Sequence, residues 1–225
     1  MNLNELASAC YLYNSKTNFD CSYINFLNSI NKSLNINKPE HRKALLVWLN
    51  SWACRQFVIE YHDFASEQIL DWYINVKSLI PEKSKNIWEL TDNDFNKIKI
   101  LYDTLVNTPV SKKYRDNKEI INHAGPTGAA KILFALRPDT LILWDNPMQK
   151  YFNEGHNGYA YIEYIKRVNE EINDLINQCE NNNFTIKELP QKINRPNSSI
   201  PKLIDEYHWV TITKKWELPK LEIFK

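Results

Sequence analysis

Glycine is scarce in this chain, since only four of its 225 residues are glycine. Two of the four, Gly125 and Gly128, lie three residues apart in the segment Ala124-Gly-Pro-Thr-Gly-Ala-Ala-Lys131. Glycine is used where the backbone must take a turn that other residues resist. Because the chain has so few glycines, two of them in one segment predict a tight turn there and make the segment a candidate for function.

Other features that define common protein classes are missing as well. No uninterrupted apolar run approaches the roughly 18 residues of a membrane span, and the N-terminal residues MNLNELASACYLYN lack the basic region of a secretory signal. The four cysteines form no C-x-x-C pair and no zinc spacing with histidine. P-loop and Ser-His-Asp signatures are also missing. We therefore expect a cytoplasmic protein with no metal and no membrane partner.

The charge and length of the chain limit its organisation. The formal net charge is +1, so a nucleic-acid partner would have to be bound by a local basic patch. A chain of 225 residues is long enough to bury a core of its own. We expect a monomer with a single domain over residues 1–225.

The apolar pattern predicts a fold of helices. A start at Pro39 is followed by Leu45, Trp48, Leu49 and Trp52 on one helical stripe, which predicts a long helix to about His62. Similar patterns predict a helix leading into the glycine segment and a long helix from about 159 to 179. Because no alternating strand and helix pattern is present, the predicted fold class is all-α.

The glycine segment leads to an acidic residue. We expect Thr127 to cap a helix over residues 128–136, whose N-terminus would suit a phosphate. The apolar run Thr140–Trp144 then delivers Asp145 directly before Asn146-Pro147, a helix start. A carboxylate after such a run is partly desolvated, and capping of the next helix is its plainest role.

Together the two features resemble the helix-hairpin-helix DNA glycosylase superfamily, whose members excise 8-oxoguanine, adenine or alkylated bases. In that family a hairpin of the form Leu-Pro-Gly-Val-Gly leads into a helix, and an aspartate at a helix start follows. Residues 124–130 resemble the hairpin, and Asp145 resembles the aspartate. The resemblance implies a two-lobed helical bundle with a cleft between the lobes and a helix-hairpin-helix element at about 115–136.

The resemblance also implies a reaction and its residues. Asp145 would stabilise the positive charge on the sugar, or activate water, as the N-glycosidic bond breaks. Family members that also cleave the strand carry a lysine just after the hairpin glycines, where this chain has Gly128 and Ala129. Lys131 lies further on and is a second, less favoured candidate for a nucleophile. We therefore expect a monofunctional enzyme that leaves an abasic site.

The expected partner is double-stranded DNA with a flipped-out base. The backbone of Gly125, Thr127 and Gly128 would contact phosphate, with Lys112, Lys113 and Arg115 beside it. Between residues 107 and 137 six basic and two acidic side chains give a local charge of +4. No cofactor is expected, although a monovalent cation held by hairpin carbonyls is compatible with the resemblance.

A flipped base needs flat or apolar side chains around it. The candidates for this pocket are Trp144, Gln149, Tyr151 and Trp52, with further aromatic and polar candidates in Trp48, Phe152, Lys131, His156 and Arg55.

The residues leave the role open. The excised base could be damaged, or it could be a modified base such as an altered cytosine of phage DNA, which would give the protein a role in antiviral defence. One alternative is a helix-hairpin-helix protein that binds DNA without catalysis, with Asp145 acting as a cap. Another is an all-α interaction protein or toxin whose turn resembles the hairpin by chance.

Overall fold

The computed structural model describes residues 1–115, 118–152 and 155–224, with only the backbone of Arg115. The described chain is mostly helical, as predicted, and consists of ten α-helices and one short pair of strands. The helices are α1 (Leu3–Lys16), α2 (Phe19–Ser29), α3 (Pro39–Ser51), α4 (His62–Val76), α5 (Asp92–Val106), α6 (Gly125–Leu136), α7 (Asn146–Phe152), α8 (Gly158–Asn181), α9 (Leu189–Lys192) and α10 (Ile200–His208). The strands are β1 (Pro109–Arg115) and β2 (Lys118–His123).

The prediction of a helix leading into the glycine segment is wrong. Strands β1 and β2 pair antiparallel there, with Lys112 opposite Ile121 and Lys113 opposite Ile120. β-Branched and aromatic residues in these strands favour an extended backbone. Gly125 therefore lies at the junction of a strand and a helix, and the segment that leads into it is β2.

Helix α3 is shorter than predicted and ends in a tight turn. It stops at Ser51, because Ala53 takes a left-handed backbone with φ +60°. The backbone N–H of Cys54 donates to the carbonyl of Leu49 at 3.0 Å, and the N–H of Ala53 donates to Asn50 at 3.0 Å. This pair of bonds forms a Schellman motif, which ends a helix by satisfying its last carbonyls. The chain after Trp52 is thereby turned towards α6.

The core centres on α6 and the segment after it. Most of α6 from Gly128 to Leu136 is buried, and residues Leu141–Trp144 form a buried extended run. Helix α8 spans residues 158–181, close to the prediction, and the Tyr161 hydroxyl donates to the Ile142 carbonyl at 2.7 Å. These contacts fix the backbone just before Asp145, because a hydrogen bond between buried groups is costly to lose.

The last described helix carries an unusual set of buried charges. The side chains of Lys202 and Glu206 on α10 are fully buried, and Lys202 Nζ lies 2.7 Å from Glu206 Oε1. Arg195 Nη2 lies 2.5 Å from the same Glu206 oxygen and 2.9 Å from Asp20 Oδ1. After α10 the backbone continues as a π-helical turn, Trp209–Thr213. Paired in this way, the buried charges tie α10 to α2.

Candidate active site

One cavity of about 650 Å³ brings several of the predicted site residues together. Its volume lies in the range of roughly 300–1,000 Å³ that is usual for small-ligand sites. Its wall is formed by α1, α2, the turn after α3, the start of α6, the residues around Asp145, α10 and the π-helical turn. Segments from both the first and the last part of the sequence therefore meet around it.

Asp145 lines this cavity, is half-buried and caps α7. Its Oδ1 accepts the backbone N–H of Met148 at 2.9 Å, and its Oδ2 accepts the hydroxyl of Thr213 at 3.0 Å. The capping role of Asp145 is thus present in the structure. A carboxylate oxygen can accept more than one bond, so these two contacts leave acceptor positions open to a ligand.

The surroundings of Asp145 affect the pKa of its carboxyl in opposite directions. Burial raises the pKa of its carboxyl above the ordinary value. The Met148 N–H, the Thr213 hydroxyl and the positive charges of Lys131 and Lys214 act against this rise. The carboxylate is thus partly desolvated and stabilised by donors, which makes its charge effective at short range.

Aromatic side chains form one wall of the cavity. Phe19 lies 5.7 Å between ring centroids from both Trp52 and Trp209, and Tyr13 meets Trp209 edge-on at 5.2 Å. The indole N–H of Trp52 donates to the Ser22 hydroxyl at 2.8 Å, which fixes the ring. A wall of this kind can stack against a flat aromatic ligand.

Lys131 lines the same cavity as Asp145. Its ammonium donates to the backbone carbonyl of Trp52 at 2.6 Å and lies 5.5 Å from the centre of the Trp52 ring. The turn that ends α3 supplies this carbonyl. The Lys131 side chain is therefore held between α6 and Trp52.

The two glycines of the segment have different roles. Gly125 lines the cavity with φ +66° and has free space where a side chain would begin. Thr127 also lines the cavity, but it does not cap the helix as predicted, because α6 already begins at Gly125. Gly128 is buried, and a Cβ there would lie 2.8 Å from Gln56 Nε2 and 2.9 Å from the Phe57 ring. Gly128 thus serves packing, which argues against its expected contact with phosphate.

The expected basic residues lie on the strands and outside the cavity wall. Lys112 forms an ion pair with Glu119 at 3.1 Å across the two strands, and Lys113 is exposed. The side chain of Arg115 lies outside the described residues. The sequence placed these groups close to the glycine turn, and β2 does lead directly into it.

The remaining pocket candidates divide between the cavity and other places. Trp144 lines the cavity, although it is only 1% exposed and stacks on Tyr164. Gln149 also lines it, and its amide oxygen lies 2.7 Å from His156 Nδ1. Tyr151, by contrast, is 66% exposed and does not line the cavity. Trp48, Phe152 and Arg55 lie outside its wall as well.

Several cavity residues carried no signal that sequence analysis recognised. They are Tyr13, Phe19, Cys54, Gln56, Asp205, Trp209 and Lys214. All of them lie far from the glycine segment in sequence, so only the folded chain reveals their position. Asp205 is the most important of them, because it adds a second carboxyl to the cavity.

Comparisons with protein-family models, with curated proteins and with solved structures found no significant match for this chain. Within the described residues, no group of three or more histidine, cysteine, aspartate or glutamate side chains could hold a metal ion. None of the described helices is long and apolar enough to cross a membrane. The site therefore has to be interpreted from its own geometry.

Proposed function

We propose that the protein is a monofunctional DNA glycosylase that hydrolyses the N-glycosidic bond of a flipped-out base. The observation that carries the proposal is that Asp145 and the Gly125 turn line the same aromatic cavity. A ligand entering this cavity can be stacked on its aromatic wall while its sugar remains near the carboxylate. Enzymes that act on a base extrude it from the duplex into a pocket of this type.

Asp145 supplies the electrostatic part of the reaction. Positive charge develops on the sugar as the bond to the base lengthens, and a nearby carboxylate stabilises that charge. The half-buried position of Asp145 strengthens the interaction, because little water screens it. Its bonds to Met148 and Thr213 hold the carboxylate in place before the reaction begins.

The DNA strand is proposed to lie across the start of α6. This helix presents backbone N–H groups and the positive end of its dipole, which favour phosphate. Helix α5 packs against α6, and we propose that these two form the helix pair of the helix-hairpin-helix element, with strands β1 and β2 inserted between them. The cavity would then lie in the cleft between two lobes.

The monofunctional assignment rests on the position of Lys131. Members of the superfamily that also cleave the strand carry their lysine just after the hairpin glycines, where this chain has Gly128 and Ala129. Lys131 comes later in the chain, and its Nζ donates to the Trp52 carbonyl at 2.6 Å. We propose that it serves as a cation that binds the DNA backbone or the base. The substrate base is either damaged or modified, and excision of a modified cytosine from phage DNA would make the activity a defence.

The test is base release from duplexes that each carry one damaged or modified base, scored as abasic sites. Asp145→Asn keeps the cap on α7, because an asparagine oxygen also accepts the Met148 N–H. We expect this variant to bind DNA normally and to lose about 100-fold or more in base release. Lys131→Ala is the matched control in the same cavity, and it should lose much less.

Three outcomes would contradict the proposal. Full activity of Asp145→Asn would remove the carboxylate from the mechanism. A borohydride-trapped covalent adduct with wild-type protein that disappears in Lys131→Ala would show a lysine nucleophile. If wild type binds DNA but releases no base from any duplex, the protein is a DNA-binding protein without catalysis.

A further inference from the structure

A second carboxyl, that of Asp205, lines the same cavity as Asp145. The side chain of Asp205 on α10 is 8% exposed, and no described residue donates a hydrogen bond to it. Its nearest cation is Lys202 Nζ at 4.0 Å, and that ammonium lies closer to Glu206, at 2.7 Å. Buried polar groups normally have hydrogen-bond partners, so this carboxyl in a cavity wall points to a ligand.

The two carboxyls of the cavity differ in their surroundings. Asp145 accepts two hydrogen bonds that favour its ionised form. The charged and titratable groups that face Asp205 are Lys202 and Glu206 on its own helix, and Asp145, Lys131, Tyr13 and Tyr164 from other elements.

Burial is the main cause that raises the pKa of Asp205, to about 7; the negative charges of Asp145 and Glu206 add to it, and Lys202 and Lys131 oppose it. When two carboxyls in one site have different surroundings, one can stay protonated while the other is ionised. Such a pair can supply an acid and a negative charge to the same reaction.

We propose that Asp205 is the general acid that protonates the departing base. This inference rests on the proposed glycosylase function. The N-glycosidic bond breaks with its electron pair on the base, and the base takes the proton of the Asp205 carboxyl. Water bonds to the anomeric carbon, and its proton passes to the Asp145 carboxylate. Exchange with solvent then returns the proton to Asp205 and removes that of Asp145, so the net reaction is hydrolysis.

A general acid also defines the class of base. A neutral purine or pyrimidine is a poor leaving group until it is protonated, whereas an alkylated base such as 7-methylguanine already carries a positive charge. With Asp205 protonated, the charged groups of the wall are Lys131 and Lys214 against Asp145. A cationic base would be repelled by this surplus of positive charge. The cavity therefore favours neutral bases.

The test compares single-turnover release from duplexes carrying 8-oxoguanine, hypoxanthine, uracil, 5-hydroxymethylcytosine or 7-methylguanine. On the neutral base that wild type releases fastest, we expect Asp205→Asn to lose about 100-fold to 10,000-fold. Its DNA affinity should stay unchanged, because the loss is in the chemical step. Asp139→Asn is the control, since burial also raises the pKa of Asp139 but its carboxyl lies outside the cavity.

The pH profile of wild type gives a second readout that needs no variant. Release of the neutral base should decline as the pH rises above about 7, because the acid loses its proton there. Asp205→Asn should show a low rate without this decline.

The outcomes separate the two proposals. Unchanged rate and pH profile in Asp205→Asn would overturn the role of Asp205 and leave the glycosylase function intact. Fastest release of 7-methylguanine by wild type would overturn the preference for neutral bases. Failure of wild type to release any base would overturn the proposed function and the role of Asp205 together.

Discussion

We expect Asp205→Asn to change how the stability of the folded chain depends on pH. The pKa of the buried carboxyl is raised to about 7, whereas an aspartate of an unfolded chain titrates near about 3.9. As the pH rises between these values, the unfolded chain releases the proton and the folded chain keeps it. The contribution of Asp205 to stability is therefore fully present below about pH 4 and lost by about pH 7.

The size of the effect follows from the same interval. It spans about three pH units, and each unit corresponds to about 1.4 kcal/mol, so wild type loses about 4 kcal/mol through this group. That is a large part of the roughly 5–15 kcal/mol by which a domain is stable. Asparagine has nearly the same shape as aspartate and carries no charge. The free energy of unfolding of the variant should therefore rise relative to that of wild type as the pH rises.

The assay is urea unfolding at pH 4.5, 6 and 8, followed by the fluorescence of the seven tryptophans. The difference between variant and wild type is the quantity to compare, because other groups contribute with the opposite sign. Asp94, for example, has its pKa lowered to about 2 by the bonds from Lys85 and Thr91, against the effect of burial. Its contribution is present above about pH 4 and is common to both proteins.

Asp139→Asn is the control for this measurement, since burial also raises the pKa of Asp139 but its carboxyl lies outside the cavity. We expect a smaller change for it. If the free energies of wild type and Asp205→Asn stay parallel from pH 4.5 to pH 8, the Asp205 carboxyl is ionised in the folded chain, and the reasoning fails.

Two further predictions concern the glycine segment and the strands. Gly128→Ala should lower the free energy of unfolding by about 1–3 kcal/mol in urea titrations, because its Cβ would lie 2.8 Å from Gln56 Nε2. Gly125→Ala meets no atom within 4 Å and should lose only about 1 kcal/mol, from its positive φ; equal losses would contradict the packing argument. Lys113→Glu should weaken duplex binding at low salt and flatten its salt dependence, measured by fluorescence anisotropy. The same change at the exposed Lys187 should have little effect, and equal weakening by both would remove the strands from the DNA surface.

The sequence predicted the helical class because its apolar spacing is local. Leu45, Trp48 and Leu49 recur at helical spacing and are buried as expected. The predicted continuation of that helix to about His62 was wrong, because the left-handed turn at Ala53 ends α3 first. Apolar spacing alone does not reveal such a turn when alanine occupies it, since alanine is otherwise a good helix former.

The candidate site was predictable only in part, for a similar reason. Asp145, Lys131 and Gly125 share one stretch of sequence, and the fold brings all three to the cavity. Asp205 lies on α10 and Trp209 in the π-helical turn after it, and nothing local in the sequence shows that both line the same cavity as Asp145. The strands β1 and β2 were missed because seven or fewer residues give too little pattern to outweigh a helical neighbourhood.

The way the cavity wall is assembled has a consequence for how the molecule is made. Tyr13 and Lys214 line the same cavity although about 200 residues separate them, and Asn4 bonds to the backbone of Ile223 and Phe224 at 2.9 Å each. Closing so long a loop is slow, because its entropy is lost before these contacts form. During synthesis at about 5–20 residues per second, α1 must therefore wait many seconds for its partners. A nascent chain carries Asp145 for some time without a complete cavity, because the wall is finished only when Lys214 has been translated.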